Sequence, residues 1–405
     1  MKTSVTLFST ILTILALALN LNAQSLTIGN LTDLAVHNNV IYVAGQSGIA
    51  ALKPDMTVVW EKALPVTSIR LMEVTDQSIA FSSYIYKGKE GKLFSSFSSL
   101  WDKQNFTDDM VGLLDMNGNL LWTTGMQGDS KLSNPAVGNG LVAVSSNDSL
   151  YTFDAASGAL KMKAYNNMKF ILGKQIKDHA TPNRPLLMTE AIYSAAPFKF
   201  TKIDYSGKIL KDKNMYGIFA QLPVMTTDPM MFNGRIYLSN APTGQRGQKD
   251  GVAHLFCVKE NLDKDWDEYV DKSGQTGASS LTHNTNNIIV ATNFDVMAFS
   301  PKGKKIWEVN KKIGLPLLRG VRYSGGNMGV KTSNGNFLCA DDNNVYLASG
   351  EKVKKVFHNT IQVIDAEKGK FVKTIDVPDI IVDMHMMDKS LVVITEANKV
   401  LVINI

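Results

Sequence analysis

Residues Pro135–Leu160 read PAVGNGLVAVSSNDSLYTFDAASGAL. Three β-prone runs, Pro135–Val137, Leu141–Ser145 and Ser149–Asp154, are separated by short polar turns, the first of them Gly-Asn-Gly. The segment Asp154-Ala-Ala-Ser-Gly158 then turns the chain into a further, outer strand. Strands of this length with Asn, Asp and Gly between them form an antiparallel meander. One such sheet cannot bury both faces, so a recurring unit must pack against its own copies.

Copies do recur. The first runs Leu31–Val36, Val40–Ala44, Ile49–Lys53 and Val58-Val59-Trp60. The second has Ser78–Ser82 and Met110–Asp115, then Asn117-Gly118 and Leu120-Leu121-Trp122. The opening stretch is the third, and a weak fourth comprises Leu186–Thr189, Phe200–Asp204 and Ile209-Leu210. The fifth has Arg235–Ser239, Ala253–Lys259 and Asp265-Trp266; the sixth Asn287–Thr292, Val296–Ser300 and Ile306-Trp307. The seventh has Phe337–Ala340, Val345–Ala348, Ile361–Asp365 and Phe371–Thr374, and the eighth Ser390–Thr395 and Val400–Ile405. Eight copies across 405 residues give a spacing near fifty, the period of a four-stranded propeller blade. The expected fold is a single all-β, eight-bladed β-propeller of four-stranded antiparallel blades. Seven blades would follow if the fourth copy were miscounted, and a row of β-sandwiches would need units near a hundred residues. The eighth copy lacks an outer strand and Ser25–Ile28 lacks a partner, so N-terminal strand pairing with the last blade is expected to close the ring.

Residues 1–23 differ from the rest. Lys2 precedes an apolar run over Leu7–Leu19, and Ala23 precedes polar Gln24. Thirteen residues are too short for ~30 Å of hydrocarbon, so a signal peptide is expected, with the propeller over 24–405. No cysteine stands near Ala23 to carry a lipid, and no later stretch is apolar enough to span a membrane. Export places the protein in the periplasm or outside the cell. Cys257 and Cys339 fall in non-neighbouring copies and are expected to be buried free thiols. A formal charge of +5 without long basic runs is no nucleic-acid footprint.

The turn residues resemble the quinoprotein-type, PQQ-like propeller repeat, close to Ala-x-Asp-x-x-Thr-Gly-Lys-x-x-Trp. Phe153–Gly158, Ile364–Lys370 and Leu114–Gly118 match it in part, and Trp60, Trp122, Trp266 and Trp307 stand where it places a packing tryptophan. Quinone-dependent members resemble one another in adjacent cysteines and in Glu, Asn and Asp calcium ligands. This chain has no Cys-Cys pair, so the resemblance implies the fold outside that branch, with no cofactor.

No catalytic motif appears. The acidic run Asp263–Glu268 lacks the Gly and Glu spacing of a calcium loop and reads as a solvated turn, as does Asp341-Asp342. The six histidines show no metal-site spacing, and His385 stands among Met384, Met386 and Met387, read as methionine core. Long segments between second and third strands mark one face: Ser83–Asp109, Glu190–Lys199, Asn240–Val252 and Ser349–Asn359. The first carries Tyr86, Phe94, Phe97, Trp101 and Phe106 among lysines, and the third carries Arg246. These six residues are the candidate contacts for a protein or glycan partner. The leading expectation is a non-catalytic binding or scaffold propeller. Its rival is an envelope enzyme with residues lining the central channel, and a quinone-binding protein stands third.

Overall fold

The computed structural model describes residues 26–66, 68–86, 106–126, 132–146, 149–165, 182–195, 199–214, 224–225, 227–241, 253–271, 278–292, 295–310, 321–324, 328–331, 336–353 and 356–405. They form an all-β, eight-bladed propeller of antiparallel four-stranded blades, with no helix among them. Blade 3 is the expected meander, with strands Ala136–Gly138, Leu141–Ser145, Ser149–Asp154 and Leu160–Tyr165. Inner positions of each blade are fully buried, as in Gly48–Leu52 of blade 1 and Ile288–Thr292 of blade 6. Burying one such Ile, Leu or Phe contributes about 1.5–3 kcal/mol, and the buried clusters lie between successive blades.

In blades 1 to 7 the turn from the third to the fourth strand holds one residue at positive φ: Met56, Gly118, Gly158, Gly207, Leu262, Gly303 and Gly369. An aspartate often starts the turn. Asp115, Asp154, Asp204 and Asp365 each accept backbone N–H bonds from the residues that follow. The glycines are there for their neighbours as well as for φ. A Cβ on Gly118, Gly158, Gly303 or Gly369 would come within 2.6–2.8 Å of Trp60, Trp122, Trp266 or Trp307 of the preceding blade. Each indole N–H then donates to the carbonyl one residue into that turn, on Met116, Ala155, Pro301 or Ala366, at 2.8–3.1 Å. The four tryptophans are therefore rivets between blades, as their positions in the repeat predicted.

Where the tryptophan is missing, its functions are divided. Blade 4 has Lys211 in its place, and blade 5 answers with Leu262, whose side chain fills the seam from a strained left-handed position. The hydrogen bond survives by another route: Tyr193 Oη donates to the Glu260 carbonyl at 2.7 Å, at the position the indoles use elsewhere. Met56 fills the seam between blades 8 and 1 in the same way.

That closing seam differs from the expectation. Blade 8 supplies three strands among the described residues, Ile381–Met387, Ser390–Thr395 and Val400–Asn404, and residues 26–30 form no ladder with them. The segment acts as a wedge. Ile28 is 1% exposed between the cores of blades 8 and 1, and its carbonyl accepts Ser47 N at 2.9 Å. Gly45 and Gly48 leave the space it occupies, since a Cβ there would meet Ile28 within 2.8 Å. Asn398 of blade 8 bonds Leu31 N and Asn30, both at 3.0 Å. Residues 1–25, including the expected leader, lie outside the described residues.

Two of the expected long loops are strand. In blade 4, Ile192–Ala195 is a fully buried second strand inside the segment Glu190–Lys199. A short run rich in Ala and Ser looked like loop because its signal is burial, not alternation. In blade 7 the segment Ser349–Asn359 continues the ladder out to Val353 opposite Val356. A two-stranded ribbon, Val321–Ser324 with Met328–Lys331, was not foreseen. Cys257 and Cys339 are buried free thiols in blades 5 and 7.

Candidate functional site

Antiparallel order puts the starts of all first strands on the face where second strands turn into third strands. On that side of the axis lies a cavity of about 420 Å³, walled by residues from all eight blades. Several of the side chains that reach it come from one ring position. Asp33, Asp228 and Asp383 each stand seven residues before the next strand, at Val40, Arg235 and Ser390. In blades 1 and 8 the ladder slips there, between Leu31 and Asp33 and between Ile381 and Asp383. Arg184 and Asn134 also line the wall, from blades 4 and 3.

These groups join blades. Asp33 accepts Met72 N of blade 2 at 2.7 Å. Asp383 accepts Leu34 N of blade 1 at 3.1 Å, Asn336 N before the first strand of blade 7 at 2.7 Å, and Met384 N at 2.8 Å. Asp228 of blade 5 accepts Arg184 N at 2.9 Å. The Arg184 guanidinium reaches Glu73 of blade 2, pairing blades that are not adjacent. Carboxylates bonded to backbone amides remove buried polar groups from any other claim.

The electrostatics follow from crowding. Burial, and then the facing Asp383, push the Asp33 carboxyl well above the ordinary carboxylate range, against the bonds from Met72 and Leu34. Burial likewise raises Glu73, opposed by Arg184. For His385, burial disfavours the charged ring, but Asp383 and Glu73 outweigh it and hold the imidazole above its usual value. His385 thus lines the cavity, 3.6 Å from Asp383, while its neighbours Met384 and Met387 are core as expected. Among the described residues no three His, Cys, Asp or Glu side chains could together hold a metal ion. The acidic run of blade 5 is outer strand from Lys264 onward, with Asp263 in the turn before it: Asp265 pairs with Arg235, Asp263 with Lys211, and Asp267 with His254 and Lys264.

Of the sequence-predicted contacts, Tyr86 and Phe106 face each other as the outermost described rung of the blade 2 hairpin. Phe94, Phe97, Trp101 and Arg246 lie outside the described residues. The cavity groups were missed because no repeated residue type marks their ring position. The weak signal available was Asp at one offset in three copies.

No family model matches the chain, and no curated protein matches it in sequence. Solved structures do. BamB from Moraxella catarrhalis aligns with TM-score 0.64 at 13% identity, over 96% of this chain and all of that one. The computationally designed Ika8 protein aligns with TM-score 0.60 at 13% identity, over 95% of this chain and 98% of its own. At that identity the likeness is one of fold.

Proposed function

We propose that this protein is an exported, non-catalytic binding propeller of the PQQ-like repeat superfamily, engaging a protein partner through the face onto which the axial cavity opens. The observation that carries the reading is the pair of oversized hairpins on that face. Blade 2 extends Ser78–Tyr86 against Phe106–Asp115, and blade 7 extends Asn344–Val353 against Val356–Asp365. The corresponding strands of blades 3 and 6 have only five or six residues. Elaboration confined to one face of a repeat ring is how such folds build binding surfaces. Tyr86, Phe94, Phe97, Trp101, Phe106 and Arg246 supply aromatic and cationic contacts there. A glycan partner would use the same aromatics by stacking.

Carboxylates beside Arg184 and His385 at the axis are what an enzyme reading requires. Their bonds go to backbone amides and to each other, which suits a structural role better. A quinone bearing several carboxylates fits the cavity poorly, since Asp33, Asp228 and Asp383 would oppose it and neither cysteine lines it. The test is capture of envelope proteins by the wild-type protein, by the Phe97→Ala/Trp101→Ala variant, and by Lys302→Ala on the opposite face. Loss with the first variant alone supports the reading; equal capture by all three ends it.

A further inference from the structure

The chain begins in blade 1 and ends in blade 8, so the seam between them is where the two ends of the blade series meet. On its axial side stand two carboxyls, Asp33 at 4% and Asp383 at 1% exposure. They come from opposite sides of the seam, and Asp383 accepts the N–H of Leu34, the residue next to Asp33, at 3.1 Å. Backbone amides approach both from outside, Met72 on Asp33 and Leu34, Asn336 and Met384 on Asp383. Two buried acids in this arrangement can bond to each other only while one of them is protonated.

We propose that Asp33 and Asp383 form a proton-operated clasp, in which one proton held between the two carboxyls joins blade 1 to blade 8. Its loss sets two negative charges face to face across the seam. The pair also anchors the first strand of blade 2 and the approach to blade 7, so four consecutive blades respond together. The reading does not depend on the partner proposed above.

The charges around the clasp determine when it opens. His385 of blade 8 faces Asp383, and a protonated imidazole eases the charge on that side. Glu73 of blade 2 adds negative charge but is paired with Arg184 from across the cavity. Cys339 of blade 7 lies beside Asp383, and burial with that carboxylate keeps it a neutral thiol. Tyr84 of blade 2 senses Asp33 and remains a neutral phenol under Arg70. None of these neighbours replaces the proton. A group whose folded-state pKa is raised contributes stability that is complete below the usual carboxylate range and is lost as pH rises through the folded value.

Hydrogen exchange at the Leu34 and Met72 amides reads the clasp, with Val142 of blade 3 as the reference. In the wild-type chain the opening equilibrium at the first two sites, corrected for intrinsic exchange, should rise about tenfold per pH unit between the ordinary carboxylate range and the titration of the pair, and level off above it. Val142 should not follow. In Asp33→Asn the amide donates to Asp383 permanently while its oxygen still accepts Met72 N, so the slope should vanish. Equal slopes in both proteins, or none in the wild type, would overturn the clasp. Should the variant not fold, carboxyl-carbon NMR of the wild type decides. One aspartate keeping its proton beyond the ordinary range supports the clasp, and ionisation of all of them together within that range rules it out.

Discussion

The rim and the axis of this ring are held by opposite strategies. At the rim one residue pair, tryptophan on turn glycine, repeats at four seams with the same hydrogen bond each time. At the axis one ring position carries Asp33, Asn134, Arg184, Asp228 and Asp383, and the four charged ones each have their own partner. Repetition suits the rim because every seam presents the same gap to fill. The axis is where all blades converge, so each side chain there answers to several neighbours and a common solution would crowd like charges together. The seam between blades 4 and 5 shows how much the rim tolerates: Leu262 and Tyr193 together replace one indole.

The contrast can be broken most forcefully at Trp307, the most buried of the four at 8% exposure. Trp307→Ala should lower unfolding free energy by about 3–5 kcal/mol in denaturant melts. A smaller loss would mean the neighbouring turn collapses onto the gap. Leu262→Gly removes a buried leucine but relieves its left-handed strain, for a net loss of about 2–3 kcal/mol. Combining it with Lys211→Trp rebuilds the rivet of the other seams and should recover stability in the same melts. Failure to recover would show that the seams are not interchangeable. Gly158→Ala sets a Cβ 2.6 Å from Trp122 at a φ of +71°. About 1–2 kcal/mol should be lost from the backbone term alone, with the Trp122 fluorescence shifting as the indole is displaced.

The smallest effect belongs to an ion pair near the rim. The bond from His254, opposed by partial burial and aided by Lys264, lowers the Asp267 carboxyl to about 2. A lowered carboxylate contributes stability above its ordinary pKa and loses it as pH falls through the folded value. Acid melts of Asp267→Asn and wild type should therefore converge between about pH 4 and pH 2. At neutral pH they should differ by less than ~1 kcal/mol, since solvent screens the pair.

What could be read from the sequence divides along the same line. Trp60, Trp122, Trp266 and Trp307 with their turns announced the blades, because a rivet demands the same residue types at the same spacing. The inner strands were legible unevenly: the runs Pro135–Val137 and Leu186–Thr189 mark Ala136–Gly138 and Leu186–Leu187, whereas Ile69–Val74, Ala278–His283 and Ile381–Met387 stand outside every copy read from the sequence. Asp33 and Asp383 lie hundreds of residues apart in sequence and meet only because the ring closes. Glu190–Lys199 and Ser349–Asn359 looked like loops since hydrogen-bonded partners, not composition, make them strands. Of the candidate partner contacts, Tyr86 and Phe106 fall on the described blade 2 hairpin, and Phe94, Phe97, Trp101 and Arg246 lie outside the described residues.

The rivet has a direction. Each outer strand that carries one of the four tryptophans reads the turn of the blade that follows it, so the ring has a handed order around its axis. A blade copied by itself would carry its own tryptophan away from the turn cut to receive it. The stretch that travels as a self-sufficient module runs from one blade's outer strand through the next blade's third-to-fourth turn, one strand out of phase with the blade itself. Shuffling, duplication or grafting along this chain should respect that offset boundary.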